Sequence, residues 1–170
     1  MDNMNKTKRL AFMALLTAMA LTIFVLEAQI PAPVPVPGVK LGLSNVITLT
    51  AMLLLGRKEA GIVLILRIIM GAMFTGSPAA LIYSISGGLL AYITMCILIG
   101  LFPEKLVWVV SAVAAVAHNA GQLIAAALVV KTPGLLYYAP ILAASGIVTG
   151  IFTGIAAIYL VRAVRKIITK

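Results

Sequence analysis

Pro31-Ala-Pro-Val-Pro-Val-Pro-Gly38, running on into Val39-Lys-Leu-Gly-Leu-Ser-Asn45, is the longest break in an otherwise apolar chain. Four prolines alternate with small residues and impose an extended, polyproline-like path. Such a path has few internal hydrogen bonds, so it cannot cross bare lipid. It belongs at a membrane surface or against a protein cavity. A lysine, a serine and an asparagine follow at the mouth of the next apolar segment, which places the run as a cap over a binding site. An inert external loop fits the same composition.

On both sides of this break the chain is apolar. Hydrophobic residues make up 63% of its 170 residues and charged residues 10%, with a mean hydropathy of +1.18. A soluble domain is roughly 45–50% apolar and about 25% charged. The composition therefore predicts an all-α integral membrane protein. The length holds one transmembrane domain over residues 1–170, of six spans at about 20 residues each, with no soluble catalytic domain beside it. The net charge of +9 would suggest nucleic acid in a soluble protein. Here the basic residues flank apolar runs, so membrane orientation accounts for them and no nucleic-acid partner is expected. The single Cys96 excludes an intramolecular disulfide.

In chain order the spans are predicted at Leu10 to Leu26, Val39 to Leu55, Ala60 to Phe74, Ala79 to Leu101, Leu106 to Val130 and Leu135 to Val161. The second and third are short, and a re-entrant third span is an alternative. Thr75-Gly-Ser-Pro78 and Lys131-Thr-Pro-Gly134 are turns by composition. With the N-terminus inside, the inner side holds Lys6, Lys8, Arg9, Arg57, Lys58, Lys105, Arg162, Arg165, Lys166 and Lys170. The outer side holds only Lys40 and Lys131. This asymmetry predicts cytoplasmic N- and C-termini and an external Pro-rich loop.

Several motifs could carry function. Ala14 and Ala18 in the first span make a flat groove for close helix approach, either inside the bundle or against a partner. Gly146, Gly150 and Gly154 share one register in the last span, and intramolecular packing is favoured there. Arg67 is a charge at mid-span, which costs roughly 2.5–3.5 kcal/mol on insertion scales unless it faces a polar interior. It fits an anchor for an anion or carbonyl of a substrate, or a structural tie to backbone carbonyls or Glu59. His118, Asn119 and Gln122 form a polar patch on the fifth span. With Lys40, Asn45 and Ser84 they are predicted to converge with Arg67 on a substrate pocket opening outward. A lone histidine without Cys or carboxylate at ligand spacing is not a metal site, and no cofactor is called for. The four acids, Asp2, Glu27, Glu59 and Glu104, lie scattered at or beyond span ends. They do not form the carboxylate cluster that holds Mg²⁺ in a prenyl- or phosphoryl-transferring enzyme. With no P-loop pattern either, the chain is expected to be neither an enzyme nor an ATPase.

Six short spans, a basic inner face, Ala14-x-x-x-Ala18 and a lid-like first outer loop resemble the substrate-binding S-components of energy-coupling factor (ECF) transporters. More closely, Val39-Lys-Leu-Gly-Leu-Ser-Asn45, Arg67, Ser86-Gly-Gly88 and His118-Asn-Ala-Gly-Gln122 resemble the Gx transporter family. That family has often been labelled component I of heptaprenyl diphosphate synthase. The resemblance implies an S-component-like bundle, multi-pass in the plasma membrane, that captures a vitamin-like, isoprenoid-related or flavin-like molecule from outside for an ABC-type importer. It further implies a transmembrane coupling subunit and two cytoplasmic ATPases as partners, met through Ala14 and Ala18. The alternative it leaves open is a module that binds a quinone or polyprenyl compound in flavin-based extracytosolic electron transfer or quinone synthesis.

Overall fold

A computed structural model describes residues 5–27, 29–30 and 40–168. The Pro-rich run at 31–38, with its predicted role as a cap, lies outside the described residues. Six α-helices follow one another: α1 (Lys6–Glu27), α2 (Asn45–Leu55), α3 (Arg57–Thr75), α4 (Pro78–Leu98), α5 (Val107–Val129) and α6 (Ala139–Ile168). Short 3-10 turns at Glu104–Leu106 and Pro133–Tyr138 lead into α5 and α6. No strand occurs among the described residues.

Four stretches are long and apolar enough to cross a membrane: Lys6–Glu27, Pro78–Leu98, Glu104–Val129 and Pro133–Ile167. The six predicted spans are thus matched by six helices, of which four meet the spanning criteria by length and composition. α3 has the length, with 19 residues, but carries Arg57, Lys58, Glu59 and Arg67. α2 has only 11 residues, about 17 Å of helix against a hydrocarbon core of about 30 Å. Its predicted start at Val39 moves to Asn45. Gly42 has φ +81°, a conformation that closes a turn but cannot continue a right-handed helix. The amides of Asn45, Val46 and Ile47 accordingly bond back only three residues, to Gly42, Leu43 and Ser44.

The short α2 sits at the centre, packed against α1, α3, α4 and α6. Nine of its 11 residues are buried. Ile47, Leu49 and Ala51 are sealed in a core with Leu16, Ala20, Val63, Val110, Ala114 and Ala157. In the non-helical segment before α2, Gly42 and Ser44 are buried and residues 40, 41 and 43 half-buried against the bundle. Lipid tails are as apolar as leucine, so such a core is held mainly by close packing and internal hydrogen bonds.

That packing is tightest between α5 and α6. A Cβ on Gly150 would stand 2.5 Å from Cα of Ala112, and one on Gly154 would stand 2.6 Å from Cα of Trp108. The glycine register of α6 therefore serves intramolecular packing, as its sequence favoured. Ser111 and Thr153 share a hydrogen bond of 2.9 Å across the same interface. The α3–α4 joint follows its composition. Gly76 caps α3 in the left-handed conformation, and Ser77 accepts the Ala80 amide ahead of α4.

Large apolar side chains cover the outside of the bundle, among them Ile62, Ile69, Phe74, Ile97, Leu128, Val148 and Phe152. Ion pairs gather near helix starts and ends: Arg9 with Glu59, and Arg165 with Glu104. Glu59, one partner considered for Arg67, is thus engaged by Arg9 instead.

Candidate functional site

The polar residues of the interior meet between the C-terminal end of α1, the segment 40–44, and the middles of α3, α4 and α5. α5 brings His118 and Gln122 to one face, one turn apart. Gln122 works in two directions. Its Oε1 accepts the Lys40 backbone amide at 2.9 Å, and its Nε2 lies 2.8 Å from Nε2 of His118. Because an amide nitrogen can only donate, His118 Nε2 accepts and the imidazole proton is assigned to Nδ1. The pair therefore fixes both the start of the segment leading to α2 and the tautomer of the histidine.

Glycines allow this closeness. A Cβ on Gly42 would lie 2.8 Å from His118 Cδ2 and 3.0 Å from Asn45 Nδ2. One on Gly87 of α4 would lie 2.7 Å from Gln122 Cγ and 2.9 Å from the His118 carbonyl oxygen. Asn45 is buried with its Nδ2 unpartnered. Ser84 is buried one turn before Gly87 and Gly88, on the same side of α4.

Two residues that sequence reasoning did not place in the site complete it. Glu27, the last residue of α1, is buried, and its carboxylate accepts the Gly42 amide. Phe24, one turn earlier, lies under the Lys40 ammonium, which stands 3.2 Å from the ring centroid and donates to the Phe24 carbonyl at 3.2 Å. Gly71 on α3 makes room for that ring, since a Cβ there would stand 2.6 Å from Phe24 Cε1. Lys40, in the non-helical segment, has its ammonium pulled down to about 8, chiefly by burial, with Glu27 opposing and Arg67 adding to the shift. The signal for Glu27 was its rarity: it is one of four acids in the chain, at the end of a span facing the lysine.

Arg67 is buried, 2% exposed. Its guanidinium carbon is 5.5 Å from the Phe24 centroid, within cation–π range. Its Nε and Nη2 have no hydrogen-bond partner among the described residues. No described carboxylate lies within ion-pair distance of it. A buried guanidinium with unpartnered donors is costly.

Asn119 departs from the predicted set. It lies about 100° round α5 from His118 and turns to α6, where Nδ2 donates to the Leu142 carbonyl at 2.7 Å. A Cβ on Gly146 would meet the same Nδ2 at 3.0 Å. Asn119 ties α5 to α6. Asn119→Ala is expected to lower stability by about 1 kcal/mol while leaving bound ligand in place. Thermal unfolding with mass spectrometry of retained small molecules checks both; loss of ligand at unchanged stability would return Asn119 to the site.

Ala14 and Ala18, with Ala11 and Thr22, lie on an exposed side of α1. Within the described bundle this stripe of small residues packs against no other helix face.

The family model described as heptaprenyl diphosphate synthase component I matches residues 16–160. No curated protein and no solved structure matches the chain. The matched span takes in α2 to α5 whole, part of α1 and of α6, and every residue of the cluster around Arg67, so the chain belongs to the heptaprenyl diphosphate synthase component I family, the Gx transporter family.

Proposed function

We propose that this protein is the substrate-capturing membrane subunit of an ECF-type importer. In this reading its six helices form an S-component-like bundle, multi-pass in the plasma membrane, and the cluster around Arg67 takes up a vitamin-like, isoprenoid-related or flavin-like molecule from outside. The observation that carries it is the pair of unpartnered donors on a buried arginine of α3, in a cluster with polar groups from α1, α5 and the segment before α2. A merely structural arginine would have closed on Glu27 or on backbone carbonyls. The family name supports a non-catalytic role, since it specifies a component rather than the synthase itself.

The experiment is gentle purification from native membranes followed by mass spectrometry of what the protein retains. About one small molecule per chain is expected. No retained molecule, and none bound on adding a cell extract, would remove the capture role. A retained quinone would move the assignment to electron transfer.

Transport also needs a coupling subunit and two cytoplasmic ATPases, and the exposed Ala14–Ala18 stripe is the proposed contact with the former. Small residues let helix backbones approach closely. Ala14→Trp or Ala18→Trp is expected to abolish co-purification of the coupling subunit while ligand retention stays at the wild-type level. Normal co-purification from both variants would place the contact elsewhere.

Both termini are proposed to be cytoplasmic, from the ten-to-two asymmetry of Lys and Arg. Single cysteines at 34 and 168 on a Cys96→Ser background test this. Labelling from outside intact cells is expected at 34 only, and the reverse pattern would invert the topology.

A further inference from the structure

The free donors of Arg67 also define what kind of group the ligand presents, granted that the cluster captures a small molecule. Nε and Nη2 lie on one edge of the guanidinium, and their N–H bonds point the same way. Both are unpartnered on a side chain that is 2% exposed. Two parallel donors on a rigid plane match two coplanar oxygens on one carbon. A single carbonyl would satisfy only one of them.

Charge narrows the class further. The buried or half-buried ionisable groups around the cluster are Arg67, Lys40, Glu27 and His118, the last a neutral imidazole because its Nε2 accepts from Gln122. Their formal charges leave one positive charge over. The Lys40 ammonium is already occupied by the Phe24 carbonyl and ring; Glu27 Oε1 accepts the Gly42 amide, its Oε2 has no partner among the described residues, and neither oxygen pairs with Arg67. The uncompensated charge is therefore that of Arg67. A doubly charged tetrahedral oxyanion would overfill the site by one charge. We propose that the ligand is a monocarboxylate held side-on by Nε and Nη2 of Arg67.

Acetate, acetamide and inorganic phosphate serve as probes, because they present the acid, its neutral isostere and the tetrahedral alternative without the rest of the ligand. The full-length protein is stripped of retained molecules and placed in nanodiscs. Its thermal midpoint is followed against each probe at constant ionic strength, with chloride as the reference. Acetate is expected to raise the midpoint saturably by a few degrees, with acetamide and phosphate no better than chloride. Arg67→Lys is expected to keep less than half of the acetate shift and Arg67→Gln none of it. Three results would overturn the assignment: acetate equal to chloride in the wild type, phosphate exceeding acetate, or an undiminished acetate shift in Arg67→Gln. The wild-type ranking decides even if Arg67→Gln fails to fold. A neutral molecule retained at one per chain, with no acetate shift, would sink the carboxylate while leaving capture standing.

Discussion

Arg67→Ala is expected to lower ligand affinity by a factor of about 100 or more, while removing the charge at near-constant volume, as in Arg67→Met, costs the ligand-free protein no stability. The first part follows from two charge-assisted hydrogen bonds, each contributing about 1.5 kcal/mol or more, at 1.4 kcal/mol per tenfold. The second follows from the empty edge of the guanidinium. Without ligand, Nε and Nη2 repay none of their desolvation, so removing the charge relieves a cost instead of breaking a bond. Arg67→Met, closer in volume, is the cleaner variant for stability and should match or exceed the ligand-free wild type. Arg67→Lys should recover affinity only in part, because a point charge cannot reproduce a fork. Isothermal titration with the molecule identified from the wild type measures affinity, and thermal unfolding of stripped protein measures stability. A destabilised Arg67→Met with unchanged affinity would make Arg67 a structural tie.

Gly150→Val should have the largest effect on folding. Its Cβ would stand 2.5 Å from Cα of Ala112 and 2.8 Å from the Ser111 carbonyl oxygen. These are backbone atoms of a neighbouring helix, which cannot rotate aside as a side chain does. Overpacking of this kind costs typically 1–3 kcal/mol and occasionally more. With α5 forced away from α6, the Ser111–Thr153 hydrogen bond at 2.9 Å is lost as well. A total of about 3 kcal/mol corresponds to a fall of roughly 6–12 °C in the thermal midpoint for a chain of this size. Gly134→Val, where an added Cβ meets only the Thr132 side chain at 4.0 Å, is the control and should change little. Equal midpoints for the two variants would mean that the α5–α6 contact is looser than described.

Much of this site was legible in the sequence because lipid makes polarity conspicuous. Arg67 stands out in an apolar run, and the four-residue spacing of His118 and Gln122 places them on one helix face. The six-helix plan and the packing role of Gly146, Gly150 and Gly154 were equally readable, since glycine in a helix is costly without close approach. The rest required tertiary information. Val39 to Leu43 is apolar enough to read as helix, and the positive φ of Gly42 that delays the start of α2 to Asn45 leaves no mark in composition. Asn119 differs from His118 by one residue, and only the rotation of α5 against α6 decides that it faces away from Arg67. Phe24 fell inside the predicted first span and Glu27 just past its end, where a loop was anticipated. Their roles appear only once the chain returns through Lys40 and Gly42 to lie against them.

The central claim is that the bare edge of Arg67 is a binding surface. An experimental structure of protein purified gently, with no ligand added, tests it most directly. It should show density for a small molecule within hydrogen-bond distance of Arg67 Nε and Nη2, with Gln122 still bridging Lys40 and His118. A dry cluster in which Glu27 has turned from Gly42 to pair with Arg67, or one where only water meets that edge, would contradict it.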